Sequence, residues 1–396
     1  MAQLGTLNGG HRGKDWQKTQ DDLERSRNKI QVALKAAKER SKKNINLADD
    51  IDTKFNQLQV LGIKLMDILR ESGLDQRHDW IGLTEKMCQL LVPLSAATPF
   101  MSSSEERDIR QKDLLDRQKE MMELTRLIGR KLLFEGKHNQ AVPAAVQSLK
   151  FSIDVHGLNS THLVPSYLIL AEANIGLGKL TQADEYLAQA EWTVLKSPDA
   201  KDSVRSKLFR NIGLLHAAKG DYENALRMLA EDIYHASCEW DSNHIRTSGG
   251  YFHMANVFFR QNKMDTADTL YTQVVDIWHN FLKDAVERKR VYEEELAAVG
   301  PFGKTQDTEK YLDEAQEAEA IQMLSAVFDI RDQSSKRQVN AISKICHTLS
   351  MLYYILDDIP RSKDYGRKAK SLGDHSKETE ESTSLLNFLQ FLEEGH

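Results

Sequence analysis

From residue 120 onward, apolar positions recur every three or four residues, the spacing of helices that bury one face. Four stretches align without gaps: "IGRKLLFEGKHNQAV", "LAEANIGLGKLTQAD", "IGLLHAAKGDYENAL" and "MANVFFRQNKMDTAD". Each runs along a helix, breaks at Gly136, Gly178, Gly220 or Asn262, and enters a second helix. Glycine and asparagine are the residues that accept the left-handed geometry closing a helix C-terminus. Five positions past each break stands Ala141, Ala183, Ala225 or Ala267, successive alanines being 42 residues apart. Twelve positions before each alanine stands Gly129, Ala171, Gly213 or Ala255. Antiparallel helices on a tight turn approach closely only where side chains are small, so these positions are the expected contacts within each pair.

This is the pattern of a tetratricopeptide repeat, with the usual period of about 34 residues lengthened as in the kinesin light chain type of repeat. The predicted fold class is therefore all-α: a tetratricopeptide-repeat helical solenoid with 42-residue repeats, preceded by an N-terminal helical region. Four regular repeats are expected over 120–282. The gap from Ala267 to Ala320 is 53 residues, so an insertion with an irregular helix and a loop is placed at 283–312. Ala320 and Ser362 are again 42 apart and mark two further units over 313–374. "ESTSLLNFLQFLEEGH" fits a C-terminal capping helix within 375–396, since an array end exposes an apolar face. Residues 1–77 read as a basic helical hairpin and 95–119 as a linker leading into a helix start.

Composition narrows the class. The 396 residues are 40% hydrophobic and 28% charged with seven prolines, which suits long helices. No run of 18 apolar residues is present, and the N-terminus lacks the apolar stretch of a signal peptide, so neither membrane insertion nor secretion is expected. Cys88, Cys238 and Cys346 are scattered and odd in number, which points to reduced thiols; Cys238 and Cys346 lie in apolar helices and read as core residues. Net charge is −6, yet residues 1–45 carry 11 Lys and Arg against 5 Asp and Glu, giving a basic arm on an acidic body.

The first helices of such arrays line a concave groove. The side chains expected there include Arg126 and Arg130 in the first unit, Glu172 in the second, Lys207 and Arg210 in the third, and Phe252, Asn256 and Phe259 in the fourth. That groove is basic at one end and aromatic at the other, and would suit an acidic amphipathic helix. For the C-terminal half, an alternative is that the chain's own helices fill part of this surface. No catalytic constellation emerges. His216 and His253 fall on first helices without metal-ligand spacing, and "SGGYF" at 248–252 lacks the lysine of a phosphate loop. No enzyme activity, metal or cofactor is expected.

The stretch "HDWIGLTEKMCQLLVPL" at 78–94 looks like the tail of a MYND-type zinc finger. Trp80 and Cys88 match that tail, but Thr84 stands where a histidine ligand belongs, and no other cysteine precedes Cys88. It is therefore a relic without zinc. Together with "AEWTVLKS", "IRTSGGYFHMANVF", "ADTLYTQVVDIWH" and "LDEAQEAEAI", it makes residues 78–390 resemble the zinc finger MYND domain-containing protein 12 family. The resemblance implies a non-catalytic adaptor of the ciliary or flagellar axoneme that docks a single-headed inner-arm dynein. It implies as partners a tetratricopeptide repeat protein 29-like protein and the inner-arm dynein heavy chain with its light chain or actin. The doublet microtubule is a further contact, while nucleic acid and membrane are not expected. The alternative, carried by the 42-residue period, is a cytoplasmic cargo or scaffold adaptor resembling kinesin light chain.

Overall fold

The computed structural model describes residue 57 and residues 60–70, 78–91, 104–299, 311–334, 338–373 and 380–394. The expected N-terminal hairpin and basic arm lie almost wholly outside them, as does most of the expected linker. The chain divides into two units, one of 1–60 with 94–114 and one of 61–93 with 115–396. Of the first, the structure describes little beyond the opening turns of one helix. The second carries the array.

Every described element is helical. Helix α1 (His78–Leu91) is followed by α2 (Ser104–Phe134), α3 (His138–His156), α4 (Val164–Gly176), α5 (Leu180–Leu195), α6 (Asp202–Ala218), α7 (Tyr222–Glu239) and α8 (Ile245–Arg260). Then come α9 (Met264–Val299), α10 (Glu314–Asp332), α11 (Val339–Ile355), α12 (Ile359–Leu372) and α13 (Glu380–Glu394). Helices α2–α3, α4–α5, α6–α7, α8–α9 and α11–α12 form antiparallel hairpins, and successive hairpins stack.

One turn recurs in all five hairpins. Gly136, Gly178, Gly220, Asn262 and Asp357 have φ of +71°, +72°, +81°, +61° and +58°. The residue after each donates its N–H to a carbonyl five back, as Lys137 does to Leu132 at 2.8 Å and Asp358 to Tyr353 at 2.9 Å. This double closure satisfies carbonyls that a helix end leaves unpaired. Asn262 and Asp357 replace glycine at the cost of a strained backbone that short polar side chains tolerate best.

The small residues lie at the hairpin contacts. Ala141, Ala171, Ala183, Ala225, Ala255 and Ala320, with Ser362, are fully buried, and Ala267 is nearly so. A Cβ on Gly213 would stand 2.9 Å from Leu229 Cγ and 3.2 Å from the Ala225 carbonyl; one on Gly129 would stand 3.2 Å from Ile169 Cγ2. Larger residues there would force the hairpins apart, a change of about 1–3 kcal/mol in a packed core.

Helix α2 starts at Ser104, inside the 95–119 stretch read as linker and helix start, and runs unbroken into the first repeat. Helix α9 runs on to Val299, so the helical part of the 283–312 insertion is a continuation of the fourth repeat's second helix. Its extension redirects the stacking: beyond its hairpin partner α8, α9 packs most on α11, while α10 meets it through the Arg331–Asp268 pair and the shared apolar core. The array thus passes from α8–α9 to α11–α12, and α10 is inserted. The alanine spacing alone made α10 look like a repeat helix; a long α9 takes the neighbouring face instead.

The C-terminal half has the larger core. Tyr271, Val274, Trp278 and Leu282 of α9 meet Met323, Leu324 and Val327 of α10 and Ile345, Leu349 and Leu352 of α11. Leu385, Phe388, Leu389 and Leu392 of α13 close its end, as a capping helix must. At the other end, Trp80 of α1 is fully buried, donates Nε1–H to Glu135 Oε1 at 3.1 Å and lies 5.1 Å beneath the Lys131 ammonium. Leu83, Thr84 and Met87 are buried beside it, so the 78–91 stretch is packed as part of the array. Cys346 is buried and its thiol is pushed up to about 12, but Cys238 is exposed, contrary to its reading as core. Cys238 falls on the solvent side of α7, two residues past Ala236 and so about half a turn round from the buried stripe of Leu229, Asp232 and Ala236.

Candidate functional site

The eight side chains expected to line the groove do lie on the first helices α2, α4, α6 and α8, but they divide into separate groups. Arg126 is buried and bound within the chain: its Nη1 meets Glu123 Oε1 at 2.6 Å, and its Nη2 donates to Ser152 Oγ at 3.0 Å and to the His162 carbonyl. Burial lowers its pKa, with Glu123 opposing. Arg126 is therefore not a surface residue of the groove.

Arg210 occupies the same place two repeats later. Its Nε donates to Asp232 Oδ2 at 2.7 Å, and its Nη2 donates to the Arg246 carbonyl at 3.2 Å. Both arginines thus reach a carbonyl 36 residues ahead, at the start of the next repeat. Asp232 is fully buried, and its Oδ1 accepts from Ser206 Oγ at 2.6 Å. Burial works against the Arg210 charge, but Asp232, Glu319 and Glu172 together hold its pKa above the ordinary value. The glycine pair explains how this fits. A Cβ on Gly249 would stand 2.5 Å from Arg210 Nη1, and one on Gly250 would stand 2.7 Å from Ile233 Cγ1 and 2.9 Å from Asp232 Oδ2. The pair lets the fourth repeat close over the buried Arg210–Asp232 ion pair of the third, whose guanidinium also bonds the Arg246 carbonyl.

The inserted helix supplies the other half of the site. Asp313, the N-cap of α10, accepts from the backbone N–H of Ala315 and Gln316 and also pairs with Arg130 Nη1 at 3.7 Å. Further along α10, Glu319 stands 3.8 Å from Arg210 Nη1. Arg130, Glu172, Lys207 and Arg210 are thereby gathered around the acidic end of α10. Burial pushes the Glu172 carboxyl up to about 7, Arg210 and Arg130 opposing and Glu319 adding to the rise. Lys207 keeps contact with solvent, yet the crowding walls and the charges of Arg130, Arg210 and Arg246 bring its ammonium down to about 8. The cations expected to receive a partner's acidic helix instead face acids of the chain itself.

The fourth repeat's residues are dispersed. Phe252 is buried with its ring 6.2 Å from that of Tyr271, and Asn256 Oδ1 accepts from Tyr271 Oη at 2.7 Å. Phe259 alone of this group is largely exposed. The acidic side of the site, Asp232, Asp313 and Glu319, is absent from the sequence-based set. For Asp313 and Glu319 the signal was the run "LDEAQEAEAI", whose carboxylates complement the arginines of the first helices.

A second feature lies between α1, the end of α2, and the segments from α9 to α12. It is an open cleft of about 1260 Å³ with Leu83, Phe134, Tyr292, Ile321 and Leu356 among its lining residues. No group of three or more His, Cys, Asp and Glu side chains among the described residues has metal-holding geometry. None of the described helices is long and apolar enough to cross a membrane.

No family model matches the chain. Among solved structures it is similar to a Podosopora anserina protein with kinesin light chain nearly identical TPR-like repeats, at 12% identity and TM-score 0.32, over 67% of this chain and 99% of that one. It is also similar to pilF of Pseudomonas aeruginosa, at 15% identity and TM-score 0.31, over 69% of this chain and 98% of that one. The architecture rests on the hairpins themselves: the chain is an all-α tetratricopeptide-type solenoid with one helix inserted.

Proposed function

We propose that this chain is a non-catalytic scaffold that binds other proteins through a rigid helical array. The observation that carries the reading is the way the array is fixed. Arg126 and Arg210 tie consecutive repeats together, and α10 ties the first and third repeats to the insertion. Such bracing makes a platform of constant shape rather than a hinge. Large side chains at equivalent positions of neighbouring repeats, Trp192 and Tyr234, remain exposed on it, as anchors for partners commonly do.

The specific assignment follows the resemblance of residues 78–390. The platform serves in the ciliary or flagellar axoneme and docks a single-headed inner-arm dynein alongside a second tetratricopeptide protein. Burial of Trp80 against Lys131 and Glu135 supports a tail kept for packing after its metal ligands were lost. The test is recovery of the tagged chain from a salt extract of isolated cilia, with mass spectrometry of what accompanies it. An inner-arm dynein heavy chain and a second tetratricopeptide protein are the expected companions. Recovery only from the cell body, with motor cargo and no axonemal dynein, would overturn the assignment and leave a cytoplasmic adaptor.

A further inference from the structure

The sequence places a basic groove on the first helices, but the structure leaves a cleft of the opposite character open. Among the described residues, six carboxylates line it, Glu135, Glu293, Glu314, Glu317, Asp357 and Asp358, against three cations. Two of those cations are turned inward. The Lys131 side chain is 3% exposed beneath the Glu135 carboxylate and over the Trp80 ring. Lys289, 13% exposed, donates to the Tyr354 carbonyl at 3.0 Å and pairs with Asp357. Arg361 alone of the three is well exposed, and it stands 3.3 Å from Asp358. The Asp357 carboxylate, by contrast, is 79% exposed.

Beneath this rim the floor is apolar and aromatic. Phe134, Tyr292, Ile321 and Leu356 present half-buried side chains from α2, α9, α10 and the α11–α12 turn. At about 1260 Å³ the cleft exceeds the usual range for a small ligand, roughly 300–1000 Å³. An apolar floor with a charged border is what receives one face of an amphipathic helix.

We propose that this cleft docks a basic amphipathic helix of a partner protein. The proposal deepens the scaffold reading and rests on it. The partner's apolar side chains lie on Phe134, Tyr292, Ile321 and Leu356, and its lysines or arginines face Glu314, Glu317, Asp357 and Asp358. Electrostatic complementarity of this kind sets partner choice and association rate. Because the cleft is lined both by α1 with the end of α2 and by the segments from α9 onward, one bound helix touches the beginning and the end of the array.

The test uses the full chain and two synthetic probes in fluorescence anisotropy. One is an amphipathic helix with a leucine face and a lysine face; the other carries glutamate in place of each lysine. The lysine probe is expected to bind at least tenfold more tightly, and the Glu314→Gln/Glu317→Gln pair to weaken it about fivefold. The exposed pair Glu185→Gln/Glu191→Gln on α5 changes net charge equally, outside the cleft, and is expected to leave binding unaltered. Equal binding of the glutamate probe, equal weakening by the α5 pair, or no binding would overturn the proposal. So would binding that emerges only when residues 300–310 are replaced by a Gly/Ser linker, since the chain would then fill its own cleft. If these results fail while the Glu314→Gln/Glu317→Gln chain still recovers dynein from cilia, the cleft assignment falls and the scaffold reading stands.

Discussion

Replacing Asp232 with alanine should weaken the array far more than any loss of surface charge. The carboxylate is wholly buried and holds Arg210 at 2.7 Å and Ser206 at 2.6 Å. Without it, a guanidinium only 14% exposed keeps Glu319 at 3.8 Å and one backbone carbonyl, and the buried Ser206 hydroxyl loses its acceptor. Removing one partner of a buried pair costs about 3–5 kcal/mol, because the remaining charge stays desolvated. Arg130→Gln is the comparison. Its pair with Asp313 is 32% and 40% exposed at 3.7 Å, so the loss there is about 0–1 kcal/mol.

Gly249→Ala sharpens the test. Alanine gains about 1 kcal/mol of helix propensity over glycine, but its Cβ would lie 2.5 Å from an Arg210 Nη1 that Asp232 holds in place. The substitution therefore destabilises the natural chain and stabilises the Arg210→Ala chain, a reversal of sign that a double-mutant cycle reads directly. Urea unfolding followed by far-UV circular dichroism supplies the free energies. Native-state hydrogen exchange of α6, α7 and α8 accompanies it, because repeat arrays can unfold in parts. An Asp232→Ala chain within about 0.5 kcal/mol of the natural one, or the same sign for Gly249→Ala in both backgrounds, would refute the interlock.

Acid should loosen the array through its buried histidines. Burial holds both His347 and His253 down to about 3. The unfolded chain therefore takes up protons first, and stability present above the unfolded pKa of about 6.5 is lost as pH falls toward 3. Protonation of His347 in the unfolded chain alone should remove about 2 kcal/mol by pH 5, where the folded side chain is still neutral, and a His347→Phe chain should lose that much less unfolding free energy between pH 7 and pH 5 in urea titrations. Trp80→Ala should cost about 3–5 kcal/mol, and a zinc chelator should leave the thermal midpoint of the natural chain unchanged; a chelator-sensitive midpoint would contradict the relic reading. In a Cys88→Ser background, Cys238 should react with a maleimide in the native state and Cys346 only on unfolding, as their exposure dictates.

The hairpins were legible because small residues and left-handed turns leave fixed marks at fixed spacing. Gly136, Gly178, Gly220 and Asn262 each occupy the turn that the pattern assigns them. Helix α10 was misread because Ala320 satisfies the local spacing while the choice of neighbour depends on the length of α9, a tertiary matter. The cations of the groove meet acids of α10 for a related reason. Repeat position says which helix face a side chain occupies, but not whether the same chain supplies its partner. Arg126 and Arg210 share a position and turn inward because Ser152, Asp232 and the carbonyls of the next repeat lie within reach. The cleft assembles residues from α1 to α12 and leaves no local signature at all.

The most direct test of the scaffold and its cleft is cross-linking mass spectrometry of the tagged chain with whatever proteins a salt extract of isolated cilia yields alongside it. Lys86 follows the cleft residues Gly82 and Leu83 on α1, Lys363 follows Arg361 on α12, and Lys207 marks the groove occupied by α10. An inner-arm dynein heavy chain or its associated tetratricopeptide protein is expected to link to Lys86 and Lys363. Links from those partners confined to Lys207, or from no axonemal protein at all, would contradict that placement.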